Sequence, residues 1–157
     1  MRMCFFLAGL TCLQAFGQIA LKVEGKPSVT ITAEEFSKLP RHAVVLHDHG
    51  KDRNYEGVSV HDLLAHVGVD FGKGLHGRQL ATYVTVLATD GYRAVFSLAD
   101  FDPTVSDSVI VIADRHNGKP LGEKEGAFRL VVPQDKRPAR SVRLFKEIDV
   151  VQPAPER

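Results

Sequence analysis

The sequence predicts an α+β domain with a mixed, mostly antiparallel sheet and a few short helices. Short β-branched and apolar runs recur along the chain and are separated by glycine, proline and Asp/Asn-Gly turns, which is typical of strands joined by hairpins. Helix signals are confined to two or three short segments. A chain of 157 residues has the length of one domain with a core of its own.

The strands are predicted in order from apolar runs that are bounded by turn residues. They cover residues 19–24, 29–32, 43–46, 82–88, 92–96, 108–113 and 128–132, followed by a last strand that includes residues 142–144 and ends near residue 151. Tight turns join several of them, so strands that are neighbours in sequence should run antiparallel.

The helices begin at recognisable caps. Thr32 and Glu35 form a capping box, because the threonine hydroxyl can accept from the third backbone N–H while the glutamate reaches back. Ser59 is a second N-cap, and the apolar residues after it recur at i, i+3, i+4 and i+7 until Gly68. Ser97 can cap a third, shorter turn.

Two dipeptides predict hairpin turns. At Asp90-Gly91 both central residues are expected to have positive φ, and Asn117-Gly118 predicts a second turn. Residues 71–77 form a glycine-rich loop that opens no helix, so the sequence predicts no phosphate-cradling loop there.

The charge balance limits the classes of partner. The chain has 20 basic and 19 acidic residues, which gives no whole-protein case for nucleic-acid binding. No serine lies in a nucleophile elbow, and no pair of carboxylates has a catalytic spacing. The residues alone therefore predict no hydrolytic site, and any basic character is local.

The first 17 residues have the three parts of a secretory signal. Arg2 gives a basic start, residues 4–16 form an apolar run too short to span a bilayer, and Ala15-Phe16-Gly17 has the small-x-small form of a cleavage site. The other interpretation is a buried N-terminal strand or helix. We expect residues 1–17 to be a signal peptide, residues 18–151 the domain, and residues 152–157 a proline-containing tail.

Cleavage of this signal would remove Cys4 and Cys12, the two cysteines of the sequence. The mature chain would then have no disulfide, no thiolate nucleophile and no thiolate metal ligand. The predicted location is secreted, which in a bacterial cell means the periplasm.

The most informative stretch is the basic loop between the last two predicted strands. Arg129, Lys136, Arg137, Arg140 and Arg143 lie in it or beside it. So many fixed cations favour a site for a ligand that is anionic or rich in hydrogen-bond acceptors. The alternative is a solvated basic loop.

Three histidines support a different hypothesis. His47 and His49 flank Asp48 at a spacing that puts both imidazoles on one face of a strand, and His42 is nearby. Such a spacing can bind zinc or copper, but a metal site needs three or four ligands. A polar ligand pocket or an exposed loop are the alternatives.

Seven short pieces of the sequence follow one another in a particular order. They are residues 55–64 (YEGVSVHDLL), 88–92 (ATDGY), 109–113 (VIVIA), 118–121 (GKPL), 128–133 (FRLVVP), 142–143 (VR) and 148–150 (IDV). The ordered set resembles the molybdopterin-binding domain of the sulfite oxidase family, over roughly residues 40–151. It is most similar to the small, secreted, stand-alone members that bind pterins. The resemblance implies the sulfite oxidase-type fold.

The sequence departs from this family at the residue that would ligate the metal. In sulfite oxidase-type enzymes a cysteine thiolate near the start of the domain ligates molybdenum, whereas residues 44–49 read VVLHDH and no cysteine follows. Because a soft oxo-metal prefers a thiolate, we expect neither molybdenum nor oxygen-atom transfer. The alternative is a molybdopterin-dependent oxidoreductase subunit that lacks the usual cysteine.

A second departure is Ser141. Small pterin-binding relatives often carry a tryptophan there, where a ring could stack on the ligand, and this chain has no tryptophan. Tyr92, Tyr55 or Phe96 would have to supply the ring.

The resemblance implies a function as well as a fold. Some small relatives lie in the periplasm, bind a reduced pterin and contact the periplasmic part of a membrane-bound cyclic-di-GMP enzyme. The chain is therefore expected to be a non-catalytic sensor or adaptor with a pterin ligand, free or molybdopterin-like, and a membrane signalling protein as its partner.

The predicted ligand site follows from the resemblance and from pterin chemistry. A pterin is flat and has a guanidine-like edge that suits a carboxylate, and its carbonyl side suits arginine, lysine or backbone N–H groups. Asp90 is the candidate carboxylate, Tyr92 the candidate ring and Arg140 the first choice for an arginine contact. The full predicted set is His47, Asp48, Tyr55, Asp90, Tyr92, Arg129, Lys136, Arg140 and Arg143.

Overall fold

The computed structural model describes residues 17–154. In this part of the chain ten strands and two short α-helices are connected by loops and 3-10 turns. The strands are β1 Gln18–Val23, β2 Val29–Thr32, β3 His42–Asp48, β4 Lys51–Ser59, β5 Tyr83–Ala88, β6 Arg93–Ser97, β7 Val111–His116, β8 Lys119–Pro120, β9 Arg129–Val131 and β10 Phe145–Val151. The helices are α1 Ala33–Ser37 and α2 Val60–His66. All but the last residue of the predicted signal peptide lies outside the described residues.

The strands form two five-stranded sheets. The first has the order β2-β1-β10-β5-β6, and its one parallel pair is β1 with β10. The second has the order β3-β4-β7-β8, and β9 also pairs with β7. The predicted fold class, mixed and mostly antiparallel with few helices, is confirmed.

The main core lies between the two sheets and also covers the apolar faces of α1 and α2. Ile148 and Val86 from the first sheet and Ile112 from the second are fully buried in it, together with Leu63 of α2. A smaller apolar cluster lies on the other face of the second sheet and contains Tyr55. That sheet therefore buries side chains on both faces around β4 and β7.

The predicted caps occur as expected. Thr32 accepts from the Glu35 backbone N–H at 3.2 Å, and the Glu35 carboxylate accepts from the Thr32 N–H at 2.8 Å. Ser59 caps α2 by accepting from the Asp62 N–H at 3.0 Å. Ser97 caps the 3-10 turn Leu98–Phe101.

Strand β4 was missing from the sequence-based prediction. Its first half is polar and exposed, so neither apolar alternation nor β-branched residues mark it. Its residues 51–57 pair with the whole of β3, and His49 and Gly50 at the tip both have positive φ, 49° and 73°. The signal for this hairpin was the His49-Gly50 dipeptide, which occupies the turn positions that Asn-Gly usually fills.

Three local predictions are corrected. Asp90 does not have positive φ; Gly91 alone does (89°), because residues 89–91 form a three-residue loop in which the Gly91 N–H donates to the Ala88 carbonyl at 3.2 Å. Residues 108–110 precede β7 instead of starting it. The segment around Arg143 is not a strand, because Leu144 has a φ of 52° and β10 begins only after it.

No helix in residues 17–154 is long and apolar enough to cross a membrane.

Gly57 allows β4 and β7 to approach at a bulge. A Cβ there would overlap the Ile112 carbonyl and lie 2.6 Å from the Ala113 Cα. We expect Gly57→Ala to lower the free energy of unfolding by roughly 2–4 kcal/mol, because the clash is with backbone. Gly122→Ala is the matched control, since nothing lies within 4 Å of its added Cβ. Urea unfolding of both variants tests this, and equal stabilities would contradict it.

Candidate functional site

Four of the nine predicted ligand residues line one cleft of about 220 Å³. They are Asp90, Tyr92, Arg129 and Arg143, and the rest of the lining is Pro138, Ala139, Ser141 and Val142. The cleft therefore lies between the β5–β6 hairpin, β9 and the segment that leads into β10.

Backbone pairing outside the regular sheets holds these three segments together. The Leu130 N–H donates to the Val142 carbonyl at 2.8 Å, which places β9 beside the segment before β10. The Thr89 N–H donates to the Leu144 carbonyl at 2.9 Å, which attaches the β5–β6 hairpin to the same segment. The Tyr92 hydroxyl then donates to the Ala139 carbonyl at 2.7 Å and fixes its ring at the cleft.

Arg129 is a buried cation in the wall of this cleft, with a relative exposure of 1%. Its Nη1 donates to the Tyr55 hydroxyl and to Glu125 Oε1, both at 2.6 Å. Its Nε is buried and has no hydrogen-bond partner, whereas every other buried side-chain nitrogen or oxygen in residues 17–154 has one. An unsatisfied buried donor costs about 1–3 kcal/mol, so the described chain leaves this nitrogen of a cleft-lining residue without an acceptor.

Behind Arg129 lies a compact polar cluster. The Tyr55 hydroxyl, which accepts from Arg129, donates to Glu125 Oε1 at 2.7 Å. The Tyr55 ring stacks on His116 with 4.6 Å between centroids, and the Arg129 guanidinium lies 4.9 Å from the Tyr55 ring centre. His116 Nδ1 is 3.6 Å from Glu125 Oε2. We call these four residues the Arg129 cluster.

The charges of the Arg129 cluster compensate each other. Burial alone would raise the pKa of Glu125, but the hydrogen bonds from Tyr55 and Arg129 and the charge of Arg129 outweigh it and hold this pKa below the ordinary value. Burial, and then the bond to Glu125, raise the pKa of Tyr55. At neutral pH the cluster therefore contains an anionic Glu125, a neutral Tyr55 and a cationic Arg129.

Arg140, the first choice for a ligand contact from the sequence, does not line the cleft. It makes a bidentate pair with Asp135, from Nε at 2.9 Å and from Nη2 at 2.6 Å. Its guanidinium lies 4.8 Å above the centre of the Phe96 ring, and Asp100 is 3.8 Å away. Arg140 thus fixes the conformation of the basic loop.

The other predicted residues lie elsewhere. His47 is exposed and 2.6 Å from Asp52, and Lys136 is exposed. Asp48 is buried beside His49, at 3.5 Å, and does not line the cleft. Tyr55 is fully buried, does not line the cleft and contacts Arg129.

Of the three rings proposed to replace a stacking tryptophan, Tyr92 alone lines the cleft. It is 50% exposed. Tyr55 and Phe96 are buried, beside Arg129 and Arg140. Ser141 is also buried, and its hydroxyl accepts from the Val132 N–H at 2.9 Å.

Glu125 and His116 were missed from the sequence. Glu125 is one of several charged residues in a polar loop, and only its spacing of four residues from Arg129 distinguished it. His116 precedes the predicted Asn117-Gly118 turn and lies on β7 opposite Tyr55.

A larger cleft of about 390 Å³ lies beside the start of α2. In it the Asp62 carboxylate meets His42 Nε2 at 2.7 Å and His61 Nδ1 at 3.2 Å, so both oxygens are engaged. Within residues 17–154 no group of three or more histidine, cysteine or acidic side chains could hold a metal ion. The three histidines of the metal hypothesis do not share partners, since His42 pairs with Asp62 and His47 with Asp52.

We prefer the smaller cleft as the candidate site in spite of its size. It combines a buried cation whose Nε lacks an acceptor, an exposed carboxylate, an exposed arginine and an accessible ring, whereas His42, His61 and Asp62 of the larger cleft satisfy one another.

Residues 47–156 match the family model described as the oxidoreductase molybdopterin binding domain. The chain belongs to this family. Membership in the molybdopterin-binding family indicates a pterin-type ligand, and the predicted family resemblance is confirmed. A comparison with curated protein sequences returned no match.

The fold of this family member is also found in a solved structure, that of the sulfane dehydrogenase SoxCD from Paracoccus pantotrophus. The TM-score is 0.67 at 17% sequence identity, and the match covers 90% of this chain and 39% of that chain. The molybdopterin-binding domain described here thus spans about two fifths of the SoxCD chain. At this identity the likeness shows the fold, which is sulfite oxidase-like as predicted.

Acid should remove the stabilisation that Glu125 supplies to this family member. Because its folded-state pKa lies below the ordinary value of 4.5, this stabilisation is complete above that value and is lost as the pH falls through the lower, folded-state pKa. We expect the difference in unfolding free energy between the wild type and Glu125→Gln to shrink from about pH 7 to about pH 3.

Urea unfolding at a series of pH values measures this difference. Glu123→Gln is the matched control, because Glu123 is an exposed carboxylate of the same loop. A difference for Glu125→Gln that stayed constant with pH would contradict the assignment.

Proposed function

We propose that this protein is a pterin-binding, non-catalytic sensor or adaptor of the periplasm that holds its ligand in the Arg129 cleft. The observation that carries the proposal is the buried, unpartnered Nε of Arg129 in the wall of a cleft that also presents Asp90, Tyr92 and Arg143. The family match supports a pterin-type ligand.

The lining residues suit the functional groups of a pterin. Asp90 supplies a carboxylate for the guanidine-like edge of the ring, and Arg129 and Arg143 supply donors for its carbonyl and side chain. Tyr92 offers a face for stacking, and its hydroxyl bond to Ala139 keeps the ring in place without the ligand.

The sequence supports the non-catalytic part of the proposal. Family enzymes use a cysteine thiolate on molybdenum, and residues 17–157 contain no cysteine. Asp48 lies in the region where that thiolate is expected, and it is buried outside the cleft lining. A hard carboxylate is a poor substitute for a thiolate on a soft oxo-metal.

The proposed periplasmic location and the proposed membrane-bound partner are supported by other features of the sequence. The three-part pattern of residues 1–17 supports export. The resemblance to small stand-alone pterin-binding members supports a contact with the periplasmic domain of a membrane-bound cyclic-di-GMP enzyme. Co-purification of such an enzyme with the tagged protein from its native host tests this contact.

Mass spectrometry of small molecules released from the protein, purified from its native host, tests the ligand. We expect a pterin, and metal analysis of the same sample is expected to find no stoichiometric molybdenum. A sample without pterin that also fails to bind added pterins would contradict the proposal. Stoichiometric molybdenum would instead favour the molybdopterin-dependent oxidoreductase subunit.

Arg143 should contribute to affinity in this cleft. We expect Arg143→Gln to weaken pterin binding on the order of 10-fold, because a hydrogen bond to a charged group is worth about 1.5–3 kcal/mol. Arg137→Gln is the matched control, since Arg137 is exposed in the same loop but does not line the cleft. Titration of pterin fluorescence measures both, and equal effects of the two variants would contradict the site.

A further inference from the structure

We infer that Glu125 determines ligand specificity: by neutralising Arg129 it makes the inner wall of the cleft select a neutral hydrogen-bond acceptor, such as a ring carbonyl, over a phosphate or carboxylate. This inference rests on the proposed pterin function and names the chemical class that the inner wall admits. Glu125 acts through Arg129 and is therefore a positioning residue.

The charge compensation is local and buried. The side chains of Arg129 and Glu125 are 2% and 14% exposed, and they are 2.6 Å apart. At this depth water screens neither charge effectively, so a ligand group at the wall experiences both. The pair carries no net charge, although each member carries one.

An anionic ligand group at this wall would gain little binding free energy. Its attraction to Arg129 would be opposed by repulsion from Glu125, and it would still lose its hydration on entering the cleft. A neutral carbonyl is far less costly to desolvate, and it can accept a hydrogen bond from the Arg129 side chain that lines the cleft without the repulsion that Glu125 exerts on an anion. The inner wall therefore favours a neutral acceptor.

The rim of the cleft, in contrast to the inner wall, carries a positive charge that no carboxylate of the described residues compensates. Arg143 is exposed, and no ion pair involving it is present in residues 17–154. An anionic side chain or phosphate of the ligand is therefore directed outward to Arg143, while the neutral ring end is directed inward to Arg129.

Arg129 is held by Tyr55 as well as by Glu125, so the negative charge of Glu125 can be removed while the guanidinium keeps its position. The Tyr55 hydroxyl accepts from Arg129 Nη1 at 2.6 Å and its ring lies against the guanidinium. In Glu125→Gln the amide carbonyl has the same shape and can still accept from Arg129, so the variant changes mainly the charge of the wall.

Direct titration of inorganic phosphate by calorimetry tests the inference without any pterin. We expect Glu125→Gln to bind phosphate roughly 10-fold more tightly than the wild type, and Glu123→Gln, which removes the same charge from an exposed site, to match the wild type. Equal phosphate affinities of Glu125→Gln and the wild type would overturn the inference, as would an equal gain in both variants.

Competition with 6-hydroxymethylpterin, whose side chain is neutral, provides the second measurement. The measurement is made in the Arg143→Gln background, because phosphate bound at Arg143 would compete from the rim of the same cleft. There we expect phosphate to leave pterin affinity unchanged, with or without Tyr55→Phe, which keeps the Glu125–Arg129 pair, so this arm holds even if Glu125→Gln fails to fold. Phosphate competition in the Arg143→Gln background would overturn the inference. An Arg143→Gln variant and a wild type that both bind no pterin, with no phosphate at the inner wall, would overturn the proposed function alone.

Discussion

Burying a guanidinium costs several kcal/mol unless a carboxylate and further acceptors compensate it, and at Arg129 this requirement connects distant parts of the fold. Glu125 comes from the loop before β9, Tyr55 from β4 and His116 from β7. The cluster can form only if β4, β7 and β9 pair in the observed register. The bulge at Gly57 lies in that same pairing, two residues from Tyr55.

The cleft is built on this compensated charge. Arg129 provides its inner wall, and the β5–β6 hairpin and the segment before β10 close around it through backbone hydrogen bonds. The basic loop is held by the bidentate pair of Arg140 with Asp135 and by the Phe96 ring. One arginine thus orders the loop from outside the cleft, another forms its inner wall, and Arg143 remains exposed at the rim.

The sequence predicted those parts of the fold whose signals are local. Capping at Thr32 and Ser59 and the apolar strands need only neighbouring residues. Strand β4 was missed because its exposed half is polar. The roles of Arg140 and Glu125 could not be predicted, since each depends on which carboxylate the folded chain brings within reach. Asp90, Tyr92, Arg129 and Arg143 meet in one cleft, and their role in binding a pterin stays a prediction.

The proposed site requires that Arg129 Nε is a buried donor without a partner in the free protein and that a ligand in the cleft changes the surroundings of this side chain. NMR of protein labelled with ¹⁵N-arginine, with the Arg129 Nε–H signal assigned by its loss in Arg129→Lys, measures both. We expect an Nε–H that exchanges slowly with water in the free protein and shifts when pterin is added. A signal that exchanges as fast as those of exposed arginines, or that pterin leaves unchanged, would contradict it.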